Sequence, residues 1–389
     1  MKYRRFGKTG LDLPVITCGG MRFQHSWNSD DAVSDGSQKN VEACVLRALE
    51  LGINHFETAR GYGTSEAQLG RILPRLPRQE IIVQTKVGPQ ADVGRFRDAF
   101  EKSMGLLNLD YIDLFAFHGI NNDEALEHAM GCLEQARTWQ REGRIRHIGF
   151  SSHGSQELIT KAVRSGAFAY VNLHWFYIFQ ENWPAIHEAR KRDMGVFIIS
   201  PSDKGGLLHR PSEKLMRLTD PLHPMVFNSL FCLSRPEVHT LSCGVSSPEH
   251  FDKHQETIKL MDRAAEVVGP IERRLQGEME RVLGKRWVRT WRKGLPQWHE
   301  TPGEINIPWI LRLRNLALAF DMIEFGKMRY NLLGNGGHWF PGNQAGDVEN
   351  LDLEGCLRHS PHAEVIPGML KEAHELLKGE ERARLQEES

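Results

Sequence analysis

Short apolar runs punctuate the first two thirds of the chain: LPVITCGG from Leu13, INHFETA from Ile53, EIIVQTKV from Glu80, YIDLFAFH from Tyr111, IRHIGFSS from Ile145, AYVNLHWF from Ala169, GVFIISPS from Gly195 and VHTLSCGV from Val238. Continuous apolar character over four to eight residues is the signature of strands covered on both faces, as in a parallel sheet. Between the runs lie segments of helical period. In NVEACVLRALELG, Val41, Cys44, Val45, Ala48 and Leu49 share one face before the stop at Gly52. Eight strands alternating with helices over about 260 residues predict a closed (β/α)8 barrel, the TIM-barrel form of the α/β class, rather than an open sheet.

Past residue 263 the strand pattern stops. A basic segment over Ile271–Trp291, an apolar-rich one from Pro308 to about Leu333, and IPGMLKEAHELLKG near the end all read as helices. In the last, Ile366, Met369, Leu370, Ala373, Leu376 and Leu377 form an apolar stripe that must pack on something. LLGNGGHWFPGNQAGD reads as a glycine-rich connector without phosphate-loop spacing, and GEERARLQEES as a frayed, solvated end. The expected organisation is a barrel over 1–263 followed by a helical C-terminal extension over 264–389.

Composition changes this picture little, but it narrows the partners. A formal net charge of −1 gives no bulk attraction to nucleic acid or anionic membranes, which leaves a small molecule as the expected partner. No run of about 18 apolar residues could span a bilayer and MKYRRFGKTG lacks a signal-peptide core, so a cytoplasmic location is expected. The six cysteines are scattered without a CxxC pair, which argues against a disulfide framework or a four-cysteine metal site.

Barrel chemistry belongs at the C-terminal ends of the strands. The ends of the second, third and fourth runs carry Glu57, with Tyr62 five residues on, then Lys86, then His118. Reduction of a carbonyl by hydride transfer requires an acid for the developing alkoxide. A phenol serves if a cation lowers its pKa and a hydrogen-bond donor orients the oxygen. Lys86 offers the cation, His118 the donor, and Glu57 a carboxylate to hold the ammonium. Taken singly, Lys86 reads as a solvated loop residue and His118 as a satisfied buried histidine; it is their joint placement at adjacent strand ends that points to chemistry.

ETARGYG, VQTKVG and LFAFHG, with TSEAQLG after the tyrosine, EGRIRHIGFSS entering the fifth strand and TCGGMRF at the first strand end, resemble the aldo-keto reductases over about residues 1–263. The resemblance implies Tyr62 as acid, Lys86 as the cation, His118 as the carbonyl-orienting group and Glu57 in place of the family's aspartate. It implies a nicotinamide cofactor, NADP with NAD as the alternative, and a small carbonyl or alcohol substrate. The nicotinamide amide is expected at Ser151, Ser152 and Asn172, and the cofactor phosphates along Ser200, Lys204, Gly244, Ser246 and Ser247. The eighth-loop serines read equally as N-caps of the following helix. His250 and His254 stand about where the family often has arginine and asparagine. The competing expectation is a non-catalytic cofactor-binding or scaffold protein derived from that family.

Glu57 extends the carboxylate by about 1.5 Å, which predicts a weaker hold on Lys86 and a rate lower by about tenfold or more. The extension resembles the ferredoxin-like one of an aldo-keto reductase branch with its ligands gone. Thr301-Pro302 and Ser360-Pro361 stand for the Cys-Pro pairs, with Arg292, Leu295 and Trp298 upstream of the first and Asn350, Leu353 and the surviving Cys356 upstream of the second. One cysteine cannot hold a cubane cluster, so no metal and no iron–sulfur cluster is expected. Substrate selectivity is expected from the first loop with Trp27, from HWFYIFQENW, whose Trp175, Phe176 and Tyr177 read as pocket wall or as core, and from the C-terminal helices.

Overall fold

The computed structural model describes residues 1–381; the expectation of a frayed end falls mostly on 382–389, outside the described residues. The strands are β1 (Tyr3–Arg5), β2 (Asp12–Pro14), β3 (Ile16–Gly19), β4 (His55–Glu57), β5 (Ile82–Val87), β6 (Ile112–Phe117), β7 (Ile145–Ser151), β8 (Tyr170–Leu173), β9 (Gly195–Ile198) and β10 (Thr240–Gly244). β3 to β10 pair in parallel and close into a barrel in chain order, β10 returning to β3 through the Cys243–Cys18 register. Helices separate the barrel strands, each buried on one face. The helix Asp35–Glu50 starts at Ser34, whose hydroxyl accepts from the Ser37 amide, and buries Val41, Cys44, Val45 and Ala48. Each of the eight apolar runs contains one of these barrel strands.

The antiparallel pair β1–β2 is an element the apolar runs did not predict, because β1 alternates exposed and half-buried positions while the buried Leu13 and Pro14 of β2 merge into the run that forms β3. Its turn contributes Phe6, which packs with Leu13, Ile82, Leu114, Ala116, Tyr170 and Phe197 inside the barrel. Gly7 lies so close to the backbone at Asp193–Gly195, the start of β9, that no Cβ fits there. The hairpin therefore plugs the N-terminal mouth. Because Ile82, Leu114 and Tyr170 face the interior, the period of two sends Gln84 and Lys86, Ala116 and His118, and Asn172 and His174 to the same side at rising heights. That alternation delivers polar groups to the open, C-terminal mouth.

The chain divides into two compact units, Met1–Gly205 with Met225–Ala264, and Gly206–Pro224 with the chain from Ala265 onward. Gly206–Pro224, which a contiguous boundary would leave in the barrel, groups with the second unit. There Ser212 caps the helix Glu213–Thr219 while its hydroxyl donates to the Phe320 carbonyl, and Lys214 pairs with Glu278 at 2.7 Å.

The second unit is helical. The basic segment expected over Ile271–Trp291 is shared by two helices, Ala264–Leu283 and Lys285–Thr290, which Gly284 at φ +85° separates. The apolar segment from Pro308 forms two helices, Ile307–Phe320 and Ile323–Tyr330, separated by Asp321 in the left-handed region. In the helix Ile366–Leu377, Ile366, Leu370, Ala373 and Leu377 are buried, whereas Met369 and Leu376 are half-buried. Glu372 on its other side pairs with Arg314. Among the described residues no helix is long and apolar enough to cross a membrane, and all six cysteines are free thiols.

Candidate active site

β4 ends at Glu57, and the chain continues alongside β5: Thr58 N–H donates to Gln84 O at 2.8 Å and Arg60 N–H to Lys86 O at 2.9 Å. A turn closed by Tyr62 N–H to Ala59 O then brings the phenol back over the barrel mouth. The following TSEAQLG is architectural. Ser65 donates to Gly20 O at 2.8 Å, and the fully buried Glu66 accepts from Thr85 and Ser103 and pairs with Arg60. These contacts anchor the turn that holds Tyr62.

Lys86 is 1% exposed, so its charge must be met inside the protein. Its ammonium pairs with Glu57 Oε1, donates to Thr58 O at 2.8 Å and lies 3.2 Å from Tyr62 Oη. Ser242 Oγ donates to the other Glu57 oxygen at 3.1 Å. Despite its extra methylene, the Glu57 carboxylate keeps the lysine contact and accepts from a serine of β10. His118, at the end of β6, meets the Tyr62 ring edge to face with centroids 5.5 Å apart. Tyr62, Lys86, His118 and Glu57 therefore come together at three neighbouring strand ends.

Burial raises the Tyr62 pKa, and the opposing pull of Lys86 does not overcome it. The expectation of a lowered phenol pKa is corrected accordingly: at neutral pH the group is a phenol with its proton in place. Burial also works against the Lys86 charge, but Glu57 and Tyr62 outweigh it and raise the ammonium pKa above its ordinary value. The arrangement is a neutral donor leaning on a permanently charged cation.

Beneath it the barrel interior is polar. Thr17 bridges His55 Nδ1 and Thr240, each at 2.8 Å, and burial holds His55 neutral with its pKa pushed down to about 3. On β8, Asn172 is fully buried, and among the described residues neither its amide nitrogen nor its amide oxygen has a hydrogen-bond partner. A buried carboxamide is costly to leave unmet, and this one faces the interior two residues above Tyr170.

The other residues expected at a cofactor are distributed differently. Ser151 Oγ accepts from Gly119 N–H at 3.0 Å, and Ser152 Oγ donates to Ile120 O at 2.5 Å, so both hydroxyls are engaged with the loop after β6. Ser200 has a left-handed backbone, φ +53°, and its carbonyl accepts from Lys204 N–H. Lys204 Nζ lies 3.4 Å from His153 Nδ1, and His153 stacks on His174 at 4.6 Å. Gly244 sits against Arg22, whose guanidinium reaches Asp203 at 2.6 Å. Ser246 and Ser247 are half-buried at the rim; Ser247 takes the N-cap position of the next turn but makes no side-chain cap hydrogen bond there. His250 is exposed, whereas His254 is buried against the Cys243 thiol at 3.4 Å and turned away from the rim. Trp175 belongs to the core, stacked on Phe231 at 4.7 Å.

Sequence reasoning noted Asp203 at the seventh strand end but missed Ser242 and the pairing of Arg22 with Asp203. The alternation in VHTLSCGV was a usable signal for Ser242, because it places Thr240 and Ser242 on one face. Nothing local marked the Arg22–Asp203 pair, which joins loops 181 positions apart. Among the described residues no group of three or more histidine, cysteine or acidic side chains could hold a metal ion.

Comparison with known proteins fits this geometry. Residues 15–268 match the profile of the Aldo/keto reductase family. The L-glyceraldehyde 3-phosphate reductase of Escherichia coli (strain K12) is 28% identical over 172 residues, covering 40% of this chain and 46% of that protein. The uncharacterized oxidoreductase YqkF of Bacillus subtilis is 28% identical over 231 residues, covering 55% and 69%. The chain spans about half the length of the first of these relatives. Among solved structures, the holo form of aldo-keto reductase AKR11C1 from Bacillus halodurans superposes with a TM-score of 0.56 at 23% identity, covering 70% of this chain and 96% of that one. With the closed barrel and the profile match over most of its length, the chain belongs to the aldo/keto reductase family.

Proposed function

We propose that this protein is an NAD(P)H-dependent carbonyl reductase that uses Tyr62, Lys86, His118 and Glu57 to reduce a small aldehyde or ketone, or to run the reverse oxidation. The observation that carries the reading is Tyr62 Oη 3.2 Å from a lysine that is itself buried and locked by Glu57. A buried ion pair is costly to assemble, and here it ends on a phenol at the barrel mouth. Bound nicotinamide would supply or accept the hydride. Tyr62 delivers its proton to the carbonyl oxygen as negative charge develops there. Lys86 then stabilises the phenolate until solvent returns the proton. His118, across the Tyr62 ring, is placed to orient the same oxygen, and Glu57 keeps Lys86 from moving with the charge.

The orphaned Asn172 carboxamide fits a nicotinamide amide, which offers the matching donor and acceptor. Ser151, whose oxygen accepts from Gly119 N–H, would keep its O–H for the cofactor, and Ser152, whose hydroxyl donates to Ile120 O and accepts from Gly154 N–H, would act by fixing the loop. Lys204, Ser200, Gly244, Ser246 and Ser247 surround the rim where the phosphates would lie, and Lys204 favours the additional phosphate of NADP. Six free thiols suit a reducing cytoplasm, and no iron–sulfur cluster is part of this reading.

The test is oxidation of NADPH and NADH by the pure protein against aldehydes, ketones and quinones, with Tyr62→Phe as control. Removal of a general acid is expected to lower kcat by about a thousandfold with cofactor affinity unchanged. Equal, negligible turnover by both proteins with tight cofactor binding would show a binding protein instead.

A further inference from the structure

Glu57 is held from two sides. One carboxylate oxygen takes the Lys86 ammonium of β5, and the other accepts from Ser242 Oγ of β10 at 3.1 Å. In the barrel order β10–β3–β4 the strand β3 lies between that serine and Glu57, so the hydroxyl must reach across it. The residue it crosses is Gly19, registered with Glu57 on one side and with Gly244 on the other. The Gly19 backbone is extended, at φ −83° and ψ 121°, a conformation open to any residue, so it does not call for glycine. Space does: a Cβ on Gly19 would lie 2.5 Å from Ser242 Oγ.

A glutamate has one more rotatable bond than an aspartate, and a carboxylate bound through a single oxygen can swing about that bond while keeping its lysine. Both members of the second contact are buried, Ser242 at 8% and Glu57 at 3% exposure, so solvent does not stand in for a lost donor. Burial, with Glu57 alongside it, raises the Tyr62 pKa against the pull of Lys86. A carboxylate that drifted toward the phenol would therefore oppose the phenolate that proton transfer creates.

We propose, resting on the reductase reading above, that Ser242 is a positioning residue for the reaction. Its hydroxyl, admitted by Gly19, fixes the Glu57 carboxylate so that the longer acid holds Lys86 where an aspartate would hold it unaided. Ser242 acts through Glu57 and then through Lys86 on Tyr62. The requirement for it belongs to glutamate, since the shorter side chain has one rotor fewer to pin.

The experiment is a double-mutant cycle of wild type, Ser242→Ala, Glu57→Asp and the two combined. Each full-length protein is assayed for steady-state turnover of the best carbonyl substrate, for NADPH binding and for urea unfolding. With Glu57 in place, Ser242→Ala is expected to lower kcat about tenfold with KM and NADPH affinity unchanged. It is also expected to lower the folding equilibrium constant about tenfold, for the lost buried hydrogen bond. Combined with Glu57→Asp, the same substitution is expected to change either quantity by less than about twofold. Gly19→Ala, which crowds the hydroxyl off its path, is expected to lower kcat as Ser242→Ala does and to add nothing further in the Ser242→Ala protein. Equal losses in both backgrounds, or an unchanged kcat in Ser242→Ala, would overturn the proposal. Wild type without turnover would count against the reductase reading instead. In that case the unfolding cycle decides, and independent effects of Ser242→Ala and Glu57→Asp there would overturn the positioning role as well.

Discussion

The barrel and the second unit solve the same electrostatic problem in different ways. In the barrel the buried charges described here, Lys86, Glu57, Glu66 and Asp113, each have an opposite charge close by in the fold. Lys86 on β5 meets Glu57 on the adjacent β4, and Arg60 meets Glu66 six residues on. Asp113 on β6 takes Arg78 at 2.7 Å and Arg146 at 3.0 Å. Parallel register makes this easy, since neighbouring strands present side chains at the same height. The helices of the second unit have no such lattice, and Arg329 lies among aromatic rings with Arg312 beside it. A self-compensated charge such as Lys86 can be kept for chemistry without a ligand.

The comparison is broken most sharply by removing one cation from each unit. Lys86→Met leaves the Glu57 carboxylate buried with Ser242 as its remaining side-chain donor, and should cost about 3–5 kcal/mol in urea unfolding besides abolishing turnover. Arg329→Met removes a charge held on aromatic faces without a carboxylate among the described residues, and should cost less than about 2 kcal/mol. Equal losses in the two variants would show that the two environments do not differ as described.

A smaller effect follows from pH. His55, His239 and His254, all in the barrel unit, have pKa values pushed down to about 3, 4 and 4, mainly by burial. Below the ordinary histidine value of about 6.5 the unfolded chain takes up protons that the folded barrel refuses. The contribution of these groups is therefore complete above that pH and is lost as pH falls toward about 4. Each contributes a slope of about 1.4 kcal/mol per pH unit within the window. Chemical denaturation between those limits measures it, and His254→Gln should remove one proton's share. An unchanged slope would mean His254 is not held neutral.

The smallest effect is expected from Glu57→Asp. The shorter carboxylate can keep Lys86 but gives up Ser242, so kcat should stay within about threefold of wild type. A collapse beyond about tenfold would show that the pocket is built around glutamate, and that the barrel's compensation depends on the β10 serine as much as on the lysine.

Much of the barrel was legible because its strands are buried on both faces, which writes uninterrupted apolar runs into the sequence. The grouping of Tyr62, Lys86 and His118 was legible because a closed barrel sends every strand end to one mouth. The β1–β2 plug was not, since a short, half-exposed hairpin has no such signature. Nor was the division of labour among the rim residues. Asn172 reads no differently from any polar strand residue until the packing around it leaves its amide without partners, and His254 looks like a rim residue until its helix turns it onto Cys243.

The sequence by itself determined the alternation of strands and helices, the strand ends that carry polar groups, and the scatter of its six cysteines, because periodicity and residue chemistry are local properties. Only the tertiary structure decided which charges meet: that the longer Glu57 still reaches Lys86, that burial keeps the proton on Tyr62, and that Arg312 and Arg329, 17 residues apart, share the ring of Trp309. Burial and pairing energies depend on distance in space and on what water has been excluded, and neither is carried by neighbours along the chain.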